Sequence, residues 1–283
     1  MRLIRGLIVL ISALALAGLS GCGGPSEVVL TPTPVAPTVV PATPTVHALP
    51  PTPTTTPDPR PSPGLRHLNR AVDLDMRGAF DQALDEVNQA LEAQPGYAEA
   101  YFLRGRIYAE KSEAEHALSD LDKAIALQPD MTAAYYIRGR VYQANHDYDH
   151  ALDDYGRVIH LKSDFADVYY YRGLIYQERE DYDRAIADFN RAITLTSDSL
   201  PMYLARAETY AERGDYPQAL ADYNHVIENQ PDSGDAYYGR GLTYMDAGDL
   251  KAARADFQKV LDLNPSAALR DQVERRLQAL DAP

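Results

Sequence analysis

Beyond its first 21 residues, apolar positions in this chain cluster only after Gly64, and from there they return at one unvarying interval of 34 residues. An aromatic residue, an arginine three places on, a glycine next and a second aromatic after three more occupy Tyr101, Arg104, Gly105 and Tyr108. Close copies stand at Tyr135, Arg138, Gly139, Tyr142 and at Tyr169, Arg172, Gly173, Tyr176. The series continues at Tyr203, Arg206, Ala207, Tyr210 and at Tyr237, Arg240, Gly241, Tyr244, and opens with a degraded copy at His67, Arg70, Ala71, Leu74. A second pattern of the same period sets Ala83, Ala117, Ala151, Ala185, Ala219 and Ala253 four residues before Val87, Leu121, Tyr155, Phe189, Tyr223 and Phe257. Helix-start and helix-stop signals divide each copy in two. Asp130, Asp164, Asp198, Asp232 and Ser266 are placed to cap a first helix. Gly78, Gly214 and Gly248 can end it in the left-handed conformation, and Asp147, Asp181, Asp215 and Asp249 open a second helix carrying the alanine and the aromatic. The second copy has Lys111-Ser112-Glu113-Ala114 at this point, which predicts a looser turn.

Six copies with an aromatic, a glycine, an alanine, an aromatic and a closing proline resemble the tetratricopeptide repeat, a helix-turn-helix unit. Tyrosine stands where that family often has tryptophan, arginine replaces the leucine before the glycine, and Ser163 and Ser197 replace the proline kept at Pro95, Pro129, Pro231 and Pro265. The resemblance implies an all-α fold, a right-handed superhelical solenoid of six repeats at 64–97, 98–131, 132–165, 166–199, 200–233 and 234–267. It also implies a habit of binding protein or peptide. One repeat cannot bury its own faces, so stacked repeats share a continuous core and the ends need polar caps. Residues 268–283 meet that need: Leu269, Val273, Leu277 and Leu280 fall on one helical face, with Arg270, Glu274, Arg275 and Gln278 elsewhere.

The N-terminal residues differ in kind. Arg2 and Arg5 precede an apolar run from Leu7 to Leu19, shorter than the roughly 20 residues that span a bilayer, so residues 1–21 read as a secretory leader. Leu19-Ser20-Gly21-Cys22 resembles the bacterial lipobox, which implies diacylation of Cys22 as the mature N-terminus. Cys22 is the single cysteine, so no internal disulfide can form. Two or three acyl chains would anchor the protein stably, since each buried methylene contributes about 0.8 kcal/mol. Residues 22–63 form the lipidated N-terminus and a linker with 13 prolines and nine threonines between Pro25 and Pro63. Such a segment has no core and is expected as a disordered but semi-rigid stalk, reaching on the order of 120 Å if extended at about 3.1 Å per residue.

Charge narrows the partners. The chain carries a formal charge of -14, and loss of a leader with two arginines and no acid takes it to -16. Phosphate backbones and anionic head groups are repelled by such a surface, which argues against nucleic acid. The repeats hold no phosphate-cradling glycine loop and no nucleophile elbow. His146 and His150 straddle a turn and do not build a metal shell. No catalytic residue, cofactor or metal is assigned. Arg70, Arg104, Arg138, Arg172, Arg206 and Arg240 recur in step with Glu86, Asp120, Asp154, Asp188, Asp222 and Asp256, as ion pairs between the two helices of each copy require.

In the resembling family one face of the first helix lines a concave groove. With Tyr101, Tyr135 and their counterparts taken as packing inward, the next residue lies about 100° around the helix. That position holds Phe102, Tyr136, Tyr170, Leu204 and Tyr238, followed four residues later by Arg106, Arg140, Leu174, Glu208 and Leu242. These ten residues are the candidate peptide-binding groove, and the competing reading packs the rings between neighbouring first helices. Relatives that clamp a terminal carboxylate place lysine and asparagine here, and an aromatic strip lacks that chemistry. The expected function is a non-enzymatic adaptor, exported and lipid-anchored on the extracytoplasmic face of a bacterial cell membrane. The alternatives are an envelope-machine assembly factor, similar to the pilotin lipoproteins of type IV pili, and an accessory subunit of a cell-wall enzyme.

Overall fold

The computed structural model describes residues 62–196 and 199–281. Cys22, the leader, the linker as far as residue 61, and the capping position Asp198 lie outside the described residues. Thirteen helices make up the rest, and among the described residues there is no strand. In chain order they are α1 (Pro63–Met76), α2 (Phe80–Ala93), α3 (Ala98–Glu110), α4 (Ala114–Leu127), α5 (Thr132–Ala144), α6 (Tyr148–Leu161) and α7 (Ala166–Glu178). There follow α8 (Tyr182–Thr196), α9 (Leu200–Arg213), α10 (Tyr216–Asn229), α11 (Gly234–Asp246), α12 (Leu250–Asp262) and α13 (Ala267–Asp281). Each odd helix packs against the even helix after it, each even helix touches the next odd one, and the odd helices from α1 to α11 also touch one another in sequence. The result is a solenoid with one row of first helices and one of second helices.

The small residues of the first helix let the aromatics of the second approach. A Cβ on Gly139 would lie 2.8 Å from Cε1 of Tyr155, and one on Gly173 or Gly241 2.7 Å from Cε1 of Phe189 or Phe257. Those rings are buried, and burying a side chain of that size contributes roughly 1.5–3 kcal/mol. The fifth repeat solves the problem differently. Ala207 replaces the glycine, and the Tyr223 ring instead meets Gly239 on α11, where a Cβ would lie 2.6 Å from the hydroxyl. At the far end Val273 of α13 is fully buried, and Leu269, Leu277 and Leu280 pack beside it against the Phe257 cluster, as a cap does.

The turns between paired helices are uniform. A residue with positive φ sits at Gly78, Ser112, His146, Glu180, Gly214 and Gly248, and the amide after it bonds back to the first helix, as Glu113 does to Tyr108 and Asp215 to Tyr210, at 2.9 and 2.8 Å. The turn of the second repeat is therefore not looser. Packing of α3 on α4 imposes the same backbone, and Ser112 bears the left-handed strain, about 1–2 kcal/mol, that a glycine would avoid. Asp147, Asp181 and Asp249 accept from amides of the second helix as expected, whereas Asp215 turns to Arg213. The expected caps of the first helices are corrected at Asp130, Asp164 and Asp232. The cap positions are Met131, Phe165 and Ser233, one residue later, and of these three only Ser233 accepts a helix amide with its side-chain oxygen, from Ala236. Ser266 does accept from the Leu269 amide.

The matched arginines and acids pair in every copy. Arg104, Arg138, Arg172, Arg206 and Arg240 each donate Nε and Nη2 to both oxygens of the aspartate 16 residues on, at 2.7–2.9 Å. Nη1 reaches back to the preceding repeat, to Asn88, Asp122, Asn190 and Asn224. Arg172 meets Gly156 at that position and finds no side chain. The ladder thus ties helix to helix within a repeat and repeat to repeat. The tyrosine three residues before each arginine lies under its guanidinium, 5.2–5.7 Å from the ring centre. Tyr101, Tyr135, Tyr203 and Tyr237 are consequently half-buried at the ladder edge, and only Tyr169 is buried. The inward assignment of this tyrosine holds at Tyr169 and is corrected in the other four copies.

Candidate functional site

The row of first helices is the candidate interaction face, and its residues do not share one environment. Tyr136 and Tyr238 are 7% and 5% exposed. The ring of Tyr136 lies 4.8 Å from Phe165, at the cap of α7, and 6.1 Å from Tyr171 within α7, and Tyr238 lies 5.9 Å from Phe257. These two tyrosines belong to the core, Tyr136 filling the gap before α7 and Tyr238 packing on α12 of its own repeat. As accessible groove residues they are withdrawn. Phe102, Tyr170, Leu174, Leu204 and Leu242 are half-buried and keep part of their surface in solvent.

The charged members fall into two kinds. Arg106 is ion-paired with Asp75 of α1. Arg140 lies 4.0 Å above the ring of Tyr171 and donates to the Tyr136 hydroxyl at 3.5 Å. Stacking on an aromatic face suits a guanidinium, which is weakly hydrated and flat. Both arginines are therefore engaged within the protein. Glu208, in the same register on α9, has no such partner. Burial pushes its carboxyl up to about 7, helped by the negative charges of Glu212 and Asp235. Tyr170 is likewise pushed up to about 12, by burial first and then by Tyr171 and Glu208.

Sequence reasoning missed Tyr171, Asp75, Glu212 and Asp235. Tyr171 had a visible signal, being the one aromatic in the column Leu103, Ile137, Tyr171, Ala205, Gly239. The two histidines singled out beforehand are engaged separately, His146 with the Tyr148 hydroxyl and His150 with Asp147, each at 2.8 Å. Among the described residues no three His, Cys, Asp or Glu side chains are grouped to hold a metal ion, and no helix is long and apolar enough to cross a membrane.

Comparison with solved structures places the architecture. YrrB, described as a tetratricopeptide repeat protein with an unusual peptide-binding site, is 25% identical, with a TM-score of 0.59 over 67% of this chain and 97% of its own. A tetratricopeptide repeat protein from Parabacteroides merdae is 21% identical, with a TM-score of 0.65 over 76% and 87%. PilW, described as a widely conserved type IV pilus biogenesis factor, is 14% identical, with a TM-score of 0.66 over 74% and 97%. The last two show the fold alone. Comparison with curated proteins gives no match. Family profiles described as tetratricopeptide repeat match residues 68–132, 166–198 and 204–268, together more than half of the sequence. With that match, the 34-residue period and six stacked helix pairs in agreement, the chain belongs to the tetratricopeptide repeat family.

Proposed function

We propose that this chain is a non-enzymatic interaction scaffold that takes a peptide or protein partner along its row of first helices. The observation that carries the reading is the partly exposed apolar strip of Phe102, Tyr170, Leu174, Leu204 and Leu242, drawn from four of the six repeats. Flat and branched side chains half out of water recover free energy when a partner covers them, at about 25 cal/mol per Å². YrrB, with its peptide-binding site, supports the reading from the same fold.

The scaffold is lipid-anchored at Cys22 on the extracytoplasmic face of a bacterial membrane, with residues 1–21 as leader, 22–63 as linker, 64–267 as repeats and 268–283 as cap. This part rests on the leader-like and lipobox-like sequence. A narrower role in assembling an envelope machine draws on that sequence and on the fold likeness to PilW.

Two experiments test the reading. Phe102, Leu174, Leu204 and Leu242 are changed together to alanine, and capture from envelope extract is compared with the parent alongside thermal melts. Lost capture with a melting curve little changed is expected, and intact capture would refute the strip. For the anchor, Cys22→Ser should move the protein from the detergent phase to the aqueous phase; unchanged partitioning would exclude lipidation there.

A further inference from the structure

The register four residues after the strip holds Arg106, Arg140, Leu174, Glu208 and Leu242. Both arginines are answered from within the protein, by Asp75 and by the Tyr171 ring. Among the described residues Glu208 has neither a hydrogen bond nor an ion pair, and its oxygens keep contact with solvent. A recessed carboxylate without donors is costly, because it has given up part of its water and gained no hydrogen bond in exchange.

Its surroundings deepen the imbalance. The groups that act on it are Glu212 of its own helix and Asp235 of α11, with the phenols of Tyr170 on α7 and Tyr223 on α10 also coupled to it. Every arginine of α7, α9 and α11 is committed elsewhere: Arg172 to Asp188, Arg206 to Asp222, Arg213 to Asp183 and Asp215, and Arg240 to Asp256. On α8, Arg184 pairs with Asp181 and Arg191 donates to the Ser163 carbonyl. None of these helices, nor α10, carries a lysine. Leu174 and Leu204, half-buried nearby in the row, supply apolar surface along which a long side chain can lay its methylenes.

We propose that the inner face of the fifth repeat is a docking site for a cationic side chain of the partner, an arginine or a lysine, with Glu208 as its counter-ion and Glu212 and Asp235 reinforcing the field. The proposal rests on the reading of the first-helix row as a partner-binding face and names the chemistry selected there. A cation supplies the donors Glu208 lacks, and a charge-assisted bond in a recessed site is stronger than one in open water. Binding pulls the carboxyl into its ionised form, so it releases a proton below neutral pH.

The test uses the full chain and two probes, acetyl-Gly-Leu-Arg-Leu-Gly-amide and its twin with citrulline, which keeps the shape of arginine without the charge. At pH 8 the arginine peptide should bind at least about 10-fold more tightly, and Glu208→Gln should erase that preference. For a carboxyl titrating at about 7 the ionised fraction falls from about ten-elevenths at pH 8 to one-eleventh at pH 6, so the preference should weaken about 10-fold. Equal binding of the two peptides, or an arginine preference that survives Glu208→Gln, would overturn the site while leaving the apolar strip standing. Titration of the Glu208 carboxyl carbon by NMR with acetyl-arginine-amide alone gives a reading independent of the strip. A titration midpoint moved to lower pH supports the site, and an unmoved midpoint overturns it whatever the peptides do.

Discussion

Asp188→Ala tests whether the arginine ladder holds the solenoid together. The aspartate is 6% exposed and receives two bonds from Arg172, at 2.7 and 2.8 Å. Its loss leaves a guanidinium whose side chain is only 23% exposed, between the rings of Tyr169 and Tyr176 at 5.7 and 5.8 Å. Breaking a fully buried pair costs about 3–5 kcal/mol and an exposed one about 1 or less. With roughly a quarter of the arginine in water, the expected loss is about 2–3 kcal/mol. Arg172 is the cleanest rung for the purpose, because Gly156 offers its third nitrogen no substitute partner. The control is Glu86→Ala, where Arg70 is 69% exposed and the expected loss is no more than about 1 kcal/mol. Urea melts give the stability difference, and amide exchange in α7 and α8 shows whether the loss is local, since repeat arrays can open in parts. If Asp188→Ala lies within about 0.5 kcal/mol of the parent, or cannot be told from Glu86→Ala, the ladder does not hold the helices.

Three further outcomes follow from neighbouring features. Gly156→Asn should stabilise by roughly 0.5–1 kcal/mol, since its Cβ meets open space and the amide gives Arg172 the contact that Asn190 gives Arg206; a neutral or lower urea midpoint would contradict it. Gly173→Ala should cost about 1–3 kcal/mol by pressing on Phe189 Cε1, and a melt unchanged from the parent would show that the ring moves aside freely. Glu208→Gln should stabilise at pH 8 but not at pH 4. The folded carboxyl titrates near 7 against a usual 4.5, so the native state holds a proton that the unfolded chain gives up, and parent stability falls as pH rises through that window. The gain at pH 8 should be on the order of 3 kcal/mol, and an equal shift at both pH values would place its cause outside this titration.

The sequence alone determined the parts of the protein that are periodic. Six copies at 34 residues specify paired helices, the alanine and aromatic of each second helix specify the core, and arginine and acid 16 apart specify the ladder, because these contacts lie within one copy and repeat with it. The final amphipathic run specified the cap in the same way, through the local period of a helix. Tertiary structure decided what depends on neighbouring copies. Tyr135 and Tyr136 are adjacent and chemically alike; only the approach of α7, through Tyr171 and the capping Phe165, draws Tyr136 inside, while Tyr135 stays under Arg138 with its hydroxyl donating to the Pro129 carbonyl. The turn at Ser112 takes a glycine's conformation because two packed helices impose it. Ala207 and Gly239 exchange roles across a repeat boundary, since Tyr223 must be admitted on one side or the other. Glu208 is an unremarkable glutamate in the sequence, and its character comes from desolvation by surrounding helices whose own cations are already paired.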